Sequence, residues 1–406
     1  MTLLVGNKVT IIYDATGTPM VISPAAPLVG GKSVYMPDTS GKSILVPLSA
    51  PVVGEKVYIA PSSSGKKIVI KSGINLGNLR GLTIMGGDIS DHFQALPILN
   101  NEVWVAIQGL VSWTRQTASA EWSPRRNHRA VVMSDNSIVI VGGYSIEVWR
   151  SIDGGEHWSI QTADHGMGAR NGFALCRLSD DTLILSAGYH FGMKSDVWRS
   201  TDYGITWNKI CDSWSLSPRA EHGMVVMSDD SIVVVGGQGV VSSDQLNDVW
   251  RSTDGGITWV CQNDGTQWEG ETINIWEPRV GNTVSQINDI IMITGGWRDV
   301  YLSNKGFGDV WISIDYGATW TIQSLNNPWG ATGHYPPSTA RIYHQVVHIP
   351  PDKTILFGGI YGTPGSSTTT MNDVYTSYDY GVTWTALGNA EWSARHNFAA
   401  GYVRPT

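Results

Sequence analysis

The sequence predicts an all-β protein, and three observations lead to this prediction. Charged residues make up only 15 % of the 406 residues, whereas the chain has 46 Gly and 18 Trp. Such a composition is typical of short strands joined by glycine-rich turns, and not of long surface helices rich in Glu and Lys. Two different repeats also run along the chain, and each alternates strand-length apolar segments with turn residues. The fold is therefore expected to consist of repeated β units.

The first repeat occupies residues 1–78 and returns every 24 residues. Its units begin at Val5-Gly6-Asn7-Lys8, Val29-Gly30-Gly31-Lys32 and Val53-Gly54-Glu55-Lys56. In each unit two β-rich runs flank a polar turn, which predicts a β-hairpin. A lone hairpin is marginal in water, so these units must pack on one another or on other chains. We expect a small β domain for attachment or oligomerisation; an independent monomeric barrel is the alternative.

The second repeat begins near Arg80 and occurs six times. Its most visible part is one string: VWVAIQGLVSW at 103–113, VWRSIDGGEHW at 148–158, VWRSTDYGITW at 197–207, VWRSTDGGITW at 249–259, VWISIDYGATW at 310–320 and VYTSYDYGVTW at 374–384. An apolar strand ending in two small residues precedes each string, and an Arg precedes most of these strands. Each unit thus has four strands, named a to d, which is the signature of a propeller blade.

Residues 79–406 are therefore predicted to form a six-bladed β-propeller. The first blade lacks strand a, because its chain enters at residues 81–85 with the strand that leads to Gly86-Gly87. The last Arg of the repeat, Arg395, is followed only by the strand HNFAAGYV and a few further residues. We expect this C-terminal strand to complete blade 1, which would close the ring without a free sheet edge.

The order Arg, Gly-Gly, Asp-Val-Trp and Trp resembles the kelch repeat. The turn Ser-x-Asp-x-Gly-x-Thr-Trp resembles the Asp-box, or BNR repeat, of sialidases and related propellers. Five good copies of this turn occur in register. The resemblance covers the predicted propeller and implies the same fold.

The Asp-box carboxylates are predicted to accept hydrogen bonds from the backbone of their own turns. These residues are Asp153, Asp202, Asp254, Asp315 and Asp379. The Trp that ends each box, and the Trp or Tyr of strand c, are expected to pack in the core. The alternative for the Asp residues is calcium binding or catalysis.

Six arginines at equivalent positions are predicted to form a ring at one mouth of the propeller channel. They are Arg125, Arg170, Arg219, Arg279, Arg341 and Arg395. Each guanidinium either bridges to carbonyls or carboxylates of the next blade or binds an anion. In kelch proteins the matching Arg often faces a bound acidic partner, so the resemblance permits both interpretations.

The b–c and d–a loops share one face of a propeller, and here they are long and unlike each other. Variable loops on a rigid scaffold predict a recognition surface. The best ligand-contact candidates are the aromatic residues Trp268, Trp276, Trp297, Tyr301, Trp329 and Tyr335, which suit a carbohydrate or protein partner. Alternatively, these rings cover the blade ends. The face with the Asp-boxes is the one least expected to bind a partner.

Charge and targeting signals limit the function classes. A net charge of −8 disfavours nucleic acid as the main partner. No apolar segment approaches the roughly 18 residues of a membrane span, and no signal peptide is visible. The spacing of Cys176, Cys211 and Cys261 matches neither a disulfide framework nor a zinc site. We expect a protein on a virion or outside a cell that leaves without a signal peptide.

No complete catalytic constellation is visible. The Arg-Ile-Pro start of the sialidase pattern is absent, and Arg341-Ile342-Tyr343 does not match it. His128, His222 and His344 occupy equivalent positions in strand a, but they come from alternate blades that lie far apart. We therefore predict neither a metal nor a cofactor. Loop carboxylates could still form a catalytic pair.

The sequence favours a non-enzymatic binding module, either a viral receptor-binding, tail-fibre-like protein or a cell-surface adhesin. It would recognise a glycan or protein through the b–c and d–a loops and attach through residues 1–78, as a homo-oligomer. The alternatives are a sialidase-like glycoside hydrolase and a purely structural component of a virion or extracellular assembly.

Overall fold

The computed structural model describes side chains between residues 113 and 402, except residues 114, 213–216, 242–243, 267–274, 299–305, 326, 330–340, 351–352 and 363–368. Outside this set it describes the backbone of the strands named below. The described residues form strands and turns and contain no α-helix. Accordingly, this part of the chain has no helix with the length and apolar character needed to cross a membrane.

The chain divides into two compact units. The first comprises Met1–His92 with Gln108–Leu110, and the second comprises Phe93–Ile107 with Val111–Thr406. The boundary after His92 differs from the one that the repeats predict, which falls after residue 78.

Two short strand pairs are described in the first unit. Strand β1 (Ile12–Tyr13) pairs antiparallel with β2 (Pro19–Met20), and these strands flank the segment DATGT in the sequence. Strand β3 (Val57–Ile59) pairs in parallel with β4 (Leu82–Ile84). Strand β4 therefore belongs to this unit.

The second unit is built from six four-stranded antiparallel sheets. We number them in chain order and name their strands a to d in the order of hydrogen bonding. Sheet 1 has β33 (Ala399–Val403), β5 (Gln94–Leu99), β6 (Glu102–Ile107) and β7 (Ser112–Thr117). Sheet 2 has β8 (His128–Val132), β9 (Ile138–Gly142), β10 (Val148–Ser151) and β11 (Ser159–Thr162). Sheet 3 has β12 (Ala174–Arg177), β13 (Leu183–Tyr189), β14 (Met193–Ser200) and β15 (Asn208–Cys211).

The remaining sheets follow the same order. Sheet 4 has β16 (Gly223–Val226), β17 (Ile232–Gln238), β18 (Gln245–Ser252) and β19 (Val260–Asn263). Sheet 5 has β20 (Thr283–Ile287), β21 (Ile290–Thr294), β24 (Val310–Ser313) and β25 (Thr321–Ser324). Sheet 6 has β27 (Gln345–Ile349), β28 (Lys353–Phe357), β31 (Asp373–Ser377) and β32 (Thr385–Asn389). Short strands lie between the main ones: β22 (Trp297–Arg298) pairs with β23 (Lys305–Gly306), and β29 (Ile360–Tyr361) pairs with β26 (Arg341–Ile342) and β30 (Thr369–Thr370).

Burial decreases from strand b to strand d. In sheet 2 every residue of Ile138–Gly142 is buried, whereas Ser159–Thr162 is exposed or half-buried. This burial explains why strand b is a continuous run of Ile and Val, since a strand covered on both faces has no polar side. The core therefore lies along strands a to c.

Strand a of each sheet contacts strand a of the next. Strand β8 contacts β12, and the contacts continue through β16, β20, β27 and β33 back to β8. The C-terminal strand β33 pairs antiparallel with β5, in the register Ala399↔Ile98. The prediction that this strand supplies strand a of the first sheet is confirmed.

Strand b of the first sheet was predicted wrongly. Residues 81–85 were expected there, but β4 (Leu82–Ile84) pairs with β3, and β5 (Gln94–Leu99) takes the place beside β33. Only Asn100 and Asn101 separate β5 from β6, so a short hairpin sets their register at Leu99↔Glu102. The pair Gly86-Gly87 imitates the small residues that end strand b elsewhere.

Two arginines on strand c stack on tyrosines of the following sheet. The guanidinium carbon of Arg150 lies 3.9 Å from the ring centre of Tyr203, and that of Arg251 lies 3.6 Å from Tyr316. Both tyrosines have a left-handed backbone, with φ of 59° and 60°. The stacking gives a reason for an aromatic residue where Gly would be less strained.

We expect Tyr203→Ala to lower the free energy of unfolding by about 1–2 kcal/mol, because the stacking is lost while the left-handed backbone stays unfavourable. Tyr203→Gly should cost less, since Gly adopts this conformation freely. Urea unfolding measures both. If Arg150→Met lowers the free energy of unfolding by the same amount in the Tyr203→Ala protein as in the unmodified one, the stacking contributes nothing to stability.

Candidate functional site

A buried arginine precedes strand a of each sheet, and in sheets 2 to 6 it ties together the start of strands a and c and the end of strand b. In sheet 4, Arg219 donates from Nη1 to the Gly236 carbonyl at 3.0 Å. Its two Nη atoms also donate to the two carboxylate oxygens of Asp248, at 2.7 and 2.8 Å. The same carboxylate accepts the indole N–H of Trp250 at 2.8 Å. This connection is the physical basis of the repeated pattern Arg, Gly-Gly, Asp-Val-Trp.

Equivalent arginine–carboxylate pairs occur in four other sheets. They are Arg125–Glu147, Arg170–Asp196, Arg279–Asp309 and Arg341–Asp373. In sheet 1, Arg395 precedes strand a, and the backbone of Glu102 holds the matching position in β6. The prediction that each guanidinium bridges to the next blade is therefore wrong for these five arginines, since the carboxylate partner of each one belongs to the same sheet. The anion-binding interpretation is also corrected for the five paired arginines, because carboxylates within the protein occupy their donors.

Arg279→Met should lower the free energy of unfolding by about 3–5 kcal/mol, because it leaves the buried Asp309 carboxylate without its cation. Lys209→Met removes the exposed Lys209–Asp212 pair and should cost less than about 1 kcal/mol. Urea unfolding compares the two. Equal costs would contradict the structural role of the buried arginine.

The Asp-box carboxylates are engaged in their own turns. Asp202 accepts the hydroxyl of Ser200 at 2.8 Å and, from Thr206, the backbone N–H at 2.9 Å and the hydroxyl at 2.6 Å. Partial burial acts to raise the Asp202 pKa, but these hydrogen bonds outweigh it and hold the pKa below its usual value. The Ser bond and the backbone N–H bond recur at Asp153, Asp254, Asp315 and Asp379. We therefore assign the boxes a structural role.

Two of the three equivalent histidines lie in separate interfaces between sheets. The His222 Nε2 atom is 2.7 Å from the Ser186 hydroxyl, and His344 Nε2 is 2.8 Å from the Thr294 hydroxyl. Burial holds the pKa values of both imidazoles well below their usual range. His128 is also buried, beside Trp122. These side chains support packing between sheets and do not form one metal site.

One group among the described residues has the ligand types and spacing for a metal ion. Asp153, Glu156 and His157 place their ligand atoms within 4.8 Å of one another, and all three are exposed. The Asp153 carboxylate is 2.8 Å from His157 Nδ1 and belongs to an Asp-box turn. Its carboxylate is therefore already used in the turn.

Two predicted ligand-contact residues are buried. Trp276 and Trp329 are 0 % exposed, and they pack edge-on against Trp320 and Trp384 at ring-centre distances of 6.2 and 5.7 Å. Their assignment to the contact surface is therefore corrected. Trp297 is partly exposed, whereas Trp268, Tyr301 and Tyr335 lie outside the described residues.

A sequence signal for the buried tryptophans was missed. Trp occurs three residues before the tying arginine in three sheets, as Trp122–Arg125, Trp276–Arg279 and Trp392–Arg395. Each of these rings packs edge-on against a ring of its own sheet, which for Trp122 is Trp158. Repetition at this spacing indicates core packing and not ligand contact.

The residue two places after each tying arginine has a left-handed backbone. The φ angle lies between 54° and 68° at Asn127, Gly172, Glu221, Gly281, Tyr343 and Asn397. Four backbone bonds join these residues from sheet to sheet: the N–H of Asn127 donates to Asn397, that of Asn397 to Tyr343, that of Tyr343 to Gly281 and that of Glu221 to Gly172. Non-glycine residues rarely adopt this conformation, and they concentrate at functional sites.

Gly and a larger residue alternate at four of these positions, Gly172, Glu221, Gly281 and Tyr343, and this alternation brings distant side chains together. A Cβ atom on Gly172 would lie 3.4 Å from Cγ of Glu221, and one on Gly281 would lie 3.4 Å from the ring of Tyr343 and 3.5 Å from that of Trp297. The Tyr343 hydroxyl donates to the Glu221 carboxylate at 3.2 Å, which connects sheets 4 and 6. We call Arg129, Glu221, Trp297 and Tyr343 the central cluster.

The central cluster places one cation and one carboxylate in a partly buried setting. Burial lowers the pKa of Arg129, and the Glu221 charge opposes this shift. Burial raises the pKa of Glu221, although the Tyr343 bond and the Arg129 charge act against it. Burial and the Glu221 charge both raise the pKa of Tyr343, whose phenol stays protonated. Shifts of this kind, at a point where several sheets meet, mark a candidate functional site.

The neighbouring loops present exposed apolar side chains that the sequence analysis did not single out. They lie at the end of strand b or in the b–c loops of sheets 2, 3 and 4, and they are Tyr144, Tyr189, Phe191, Val240 and Val241. Phe191 is 94 % exposed and has a φ of 50°. We call these five residues the loop patch.

Comparison with known proteins supports one of the repeats. A family model described as the BNR-Asp box repeat matches residues 197–210. The match covers the Asp202 turn and parts of strands c and d of sheet 3, so the predicted Asp-box repeat is confirmed there. No curated protein significantly matches the chain.

Glu221→Gln should increase stability at neutral pH. Because burial raises the folded-state pKa of Glu221, folding is favoured when this carboxyl is protonated, and that contribution is lost as the pH rises through the folded-state pKa. The variant has no charge to bury, so its stability gain over the unmodified protein should be larger at pH 7 than at pH 5. Urea unfolding at both values tests this.

The control is Glu391→Gln, which changes an exposed glutamate and should have little effect at either pH. If the stability gain of Glu221→Gln over the unmodified protein is smaller at pH 7 than at pH 5, the direction given for the Glu221 pKa shift is wrong.

Proposed function

We propose that the second unit is a six-bladed β-propeller of kelch and Asp-box type, and that the chain is a non-enzymatic binding module. The fold proposal is supported by the six sheets and by the strand a contacts that return to their start. The module recognises a surface glycan or protein through the face that carries the b–c and d–a loops.

Phe191 is the observation that carries this proposal. A nearly fully exposed aromatic ring in a left-handed conformation is unfavourable on both counts and contributes nothing to the core. Its neighbour His190 fixes the loop, because His190 Nδ1 is 3.0 Å from the Ala169 carbonyl and the imidazole lies where a Cβ on Gly168 would be. A rigidly presented aromatic side chain is typical of a contact residue in recognition.

The opposite face provides a matched comparison. The Asp-box turns also expose apolar side chains, with Ile152 81 % and Ile314 74 % exposed. These residues occupy a position that is Thr201 or Thr253 in other boxes. They belong to repeated scaffold turns, and we assign recognition to the loop patch instead.

The first unit is proposed to attach the module to a virion or to a cell surface and to form its homo-oligomer. The hairpin repeats of residues 1–78 support this role, since such units require packing on one another or on other chains. An adhesin or a tail-fibre-like receptor-binding protein combines these two parts.

Phe191→Ala and Tyr189→Ala should weaken binding of the full chain to a glycan array or to target cells at least tenfold, because a truncated central aromatic contact costs more than about 1.4 kcal/mol. Ile152→Ala and Ile314→Ala, on the Asp-box face, should leave binding unchanged. Loss of binding in the Ile variants alone would place recognition on the wrong face and overturn the proposal.

A glycoside hydrolase is the second candidate, and the Tyr343–Glu221 hydrogen bond of 3.2 Å favours it. The Asp-box resembles that of sialidases, which use a Tyr–Glu pair as nucleophile. Turnover of an acidic aryl glycoside that Tyr343→Phe abolishes would establish this candidate. The binding proposal expects no turnover by the unmodified protein.

A further inference from the structure

We propose that the central cluster is a sugar-binding subsite that accepts a neutral hexopyranose ring at the end of a glycan. The inference rests on the proposed function and makes it more specific, since it selects a glycan over a protein and an uncharged sugar over an acidic one. Three observations carry it: available hydrogen-bonding atoms, balanced charge, and an aromatic ring beside them.

Glu221 offers an acceptor to a ligand. Within the described residues its carboxylate takes part in one hydrogen bond, which Oε2 accepts from Tyr343, so Oε1 is available. The side chain lies beside Gly172, where a Cβ atom would come within 3.4 Å of its Cγ. A carboxylate that is fixed in place and keeps one oxygen available is suited to accept a sugar hydroxyl.

Arg129 offers donors within electrostatic reach of Glu221. In the part of the chain that the structure describes, its guanidinium makes one hydrogen bond, from Nη1 to the His128 carbonyl at 3.3 Å. Nε and Nη2 are therefore available. A carboxylate acceptor and a guanidinium donor within electrostatic reach of each other match the neighbouring hydroxyls of a pyranose ring.

The charge of the cluster favours a neutral ligand. One guanidinium and one carboxylate compensate each other, so an acidic sugar attracted by Arg129 is repelled by Glu221. Arg126, the nearby exposed cation, lies 5.9 Å from the ring centre of Tyr144. Burial and the Arg126 charge lower the pKa of His396, which keeps this neighbour of Tyr343 neutral at physiological pH.

Trp297 supplies the apolar part of the subsite. Its indole lies beside Gly281 and Tyr343 and is only partly buried. The C–H face of a hexopyranose packs on such a ring while its hydroxyls bond to polar groups nearby. The subsite therefore combines one aromatic face with one donor group and one acceptor group.

The test measures binding of the full chain to the methyl glycosides of neutral hexoses and to the corresponding uronic acids, by saturation-transfer NMR. We expect the chain to bind at least one neutral hexoside and to bind the corresponding uronic acid at least ten times more weakly. Glu221→Gln, Tyr343→Phe and Trp297→Leu should each weaken the neutral ligand about tenfold or more. The matched controls Glu156→Gln and Tyr378→Phe, on the Asp-box turns, should not.

Thermal unfolding of every variant separates lost binding from lost folding, and Glu221→Gln is expected to stay folded. Preference for the uronic acid, or unchanged affinity in the folded Glu221→Gln and Tyr343→Phe proteins, overturns the inference. If those variants bind normally while Phe191→Ala does not, the loop face still functions and only the subsite is wrong. If neither set of substitutions affects binding, the proposed function fails as well.

Discussion

The buried arginine that precedes strand a is the interaction on which the rest of this structure depends. In sheet 4 a single guanidinium joins the Gly236 carbonyl at the end of strand b to the Asp248 carboxylate at the start of strand c. Breaking such a pair leaves an uncompensated buried charge, whereas keeping it fixes three strands at one point. Because Trp250 donates to the same carboxylate, the aromatic residue of strand c is fixed together with them. The sheets recur because this set of bonds recurs.

The tie also explains where function is to be sought. The repeated charged residues, such as Arg219 and Asp202, have their hydrogen bonds inside the sheet or the turn. Two positions after the arginine, by contrast, the backbone is fixed in a left-handed conformation but the side chain varies from Gly to Glu and Tyr. At that position the backbone conformation is the same in every sheet, whereas the type of side chain differs from sheet to sheet. The central cluster results from this combination, since Gly172 and Gly281 leave space that Glu221 and Tyr343 fill.

Much of the fold could be predicted from the sequence, because a repeated motif indicates a repeated sheet. The first sheet was the exception: Gly86-Gly87 imitates the end of strand b, and only the pairing of β5 (Gln94–Leu99) with β33 shows which segment fills that place. The site was much harder to predict. Trp276 was expected at the surface because its burial depends on Trp320, which lies far along the chain, just before β25. The Tyr343–Glu221 bond joins residues 122 positions apart, and no spacing or motif indicates such a contact.

We propose that the six sheets close into a ring through the C-terminal strand, and that this closure holds residues from sheets 2, 4, 5 and 6 in one cluster. Strand β33 (Ala399–Val403) pairs with β5 and contacts both β8 and β27. Native-state hydrogen exchange on a chain that ends at Phe398 tests this claim most directly. We predict that the amides of β5, β8 and β27 lose protection relative to the full chain, because the truncated chain lacks β33, which contacts all three strands. Unchanged protection in all three strands would contradict closure through the C-terminus.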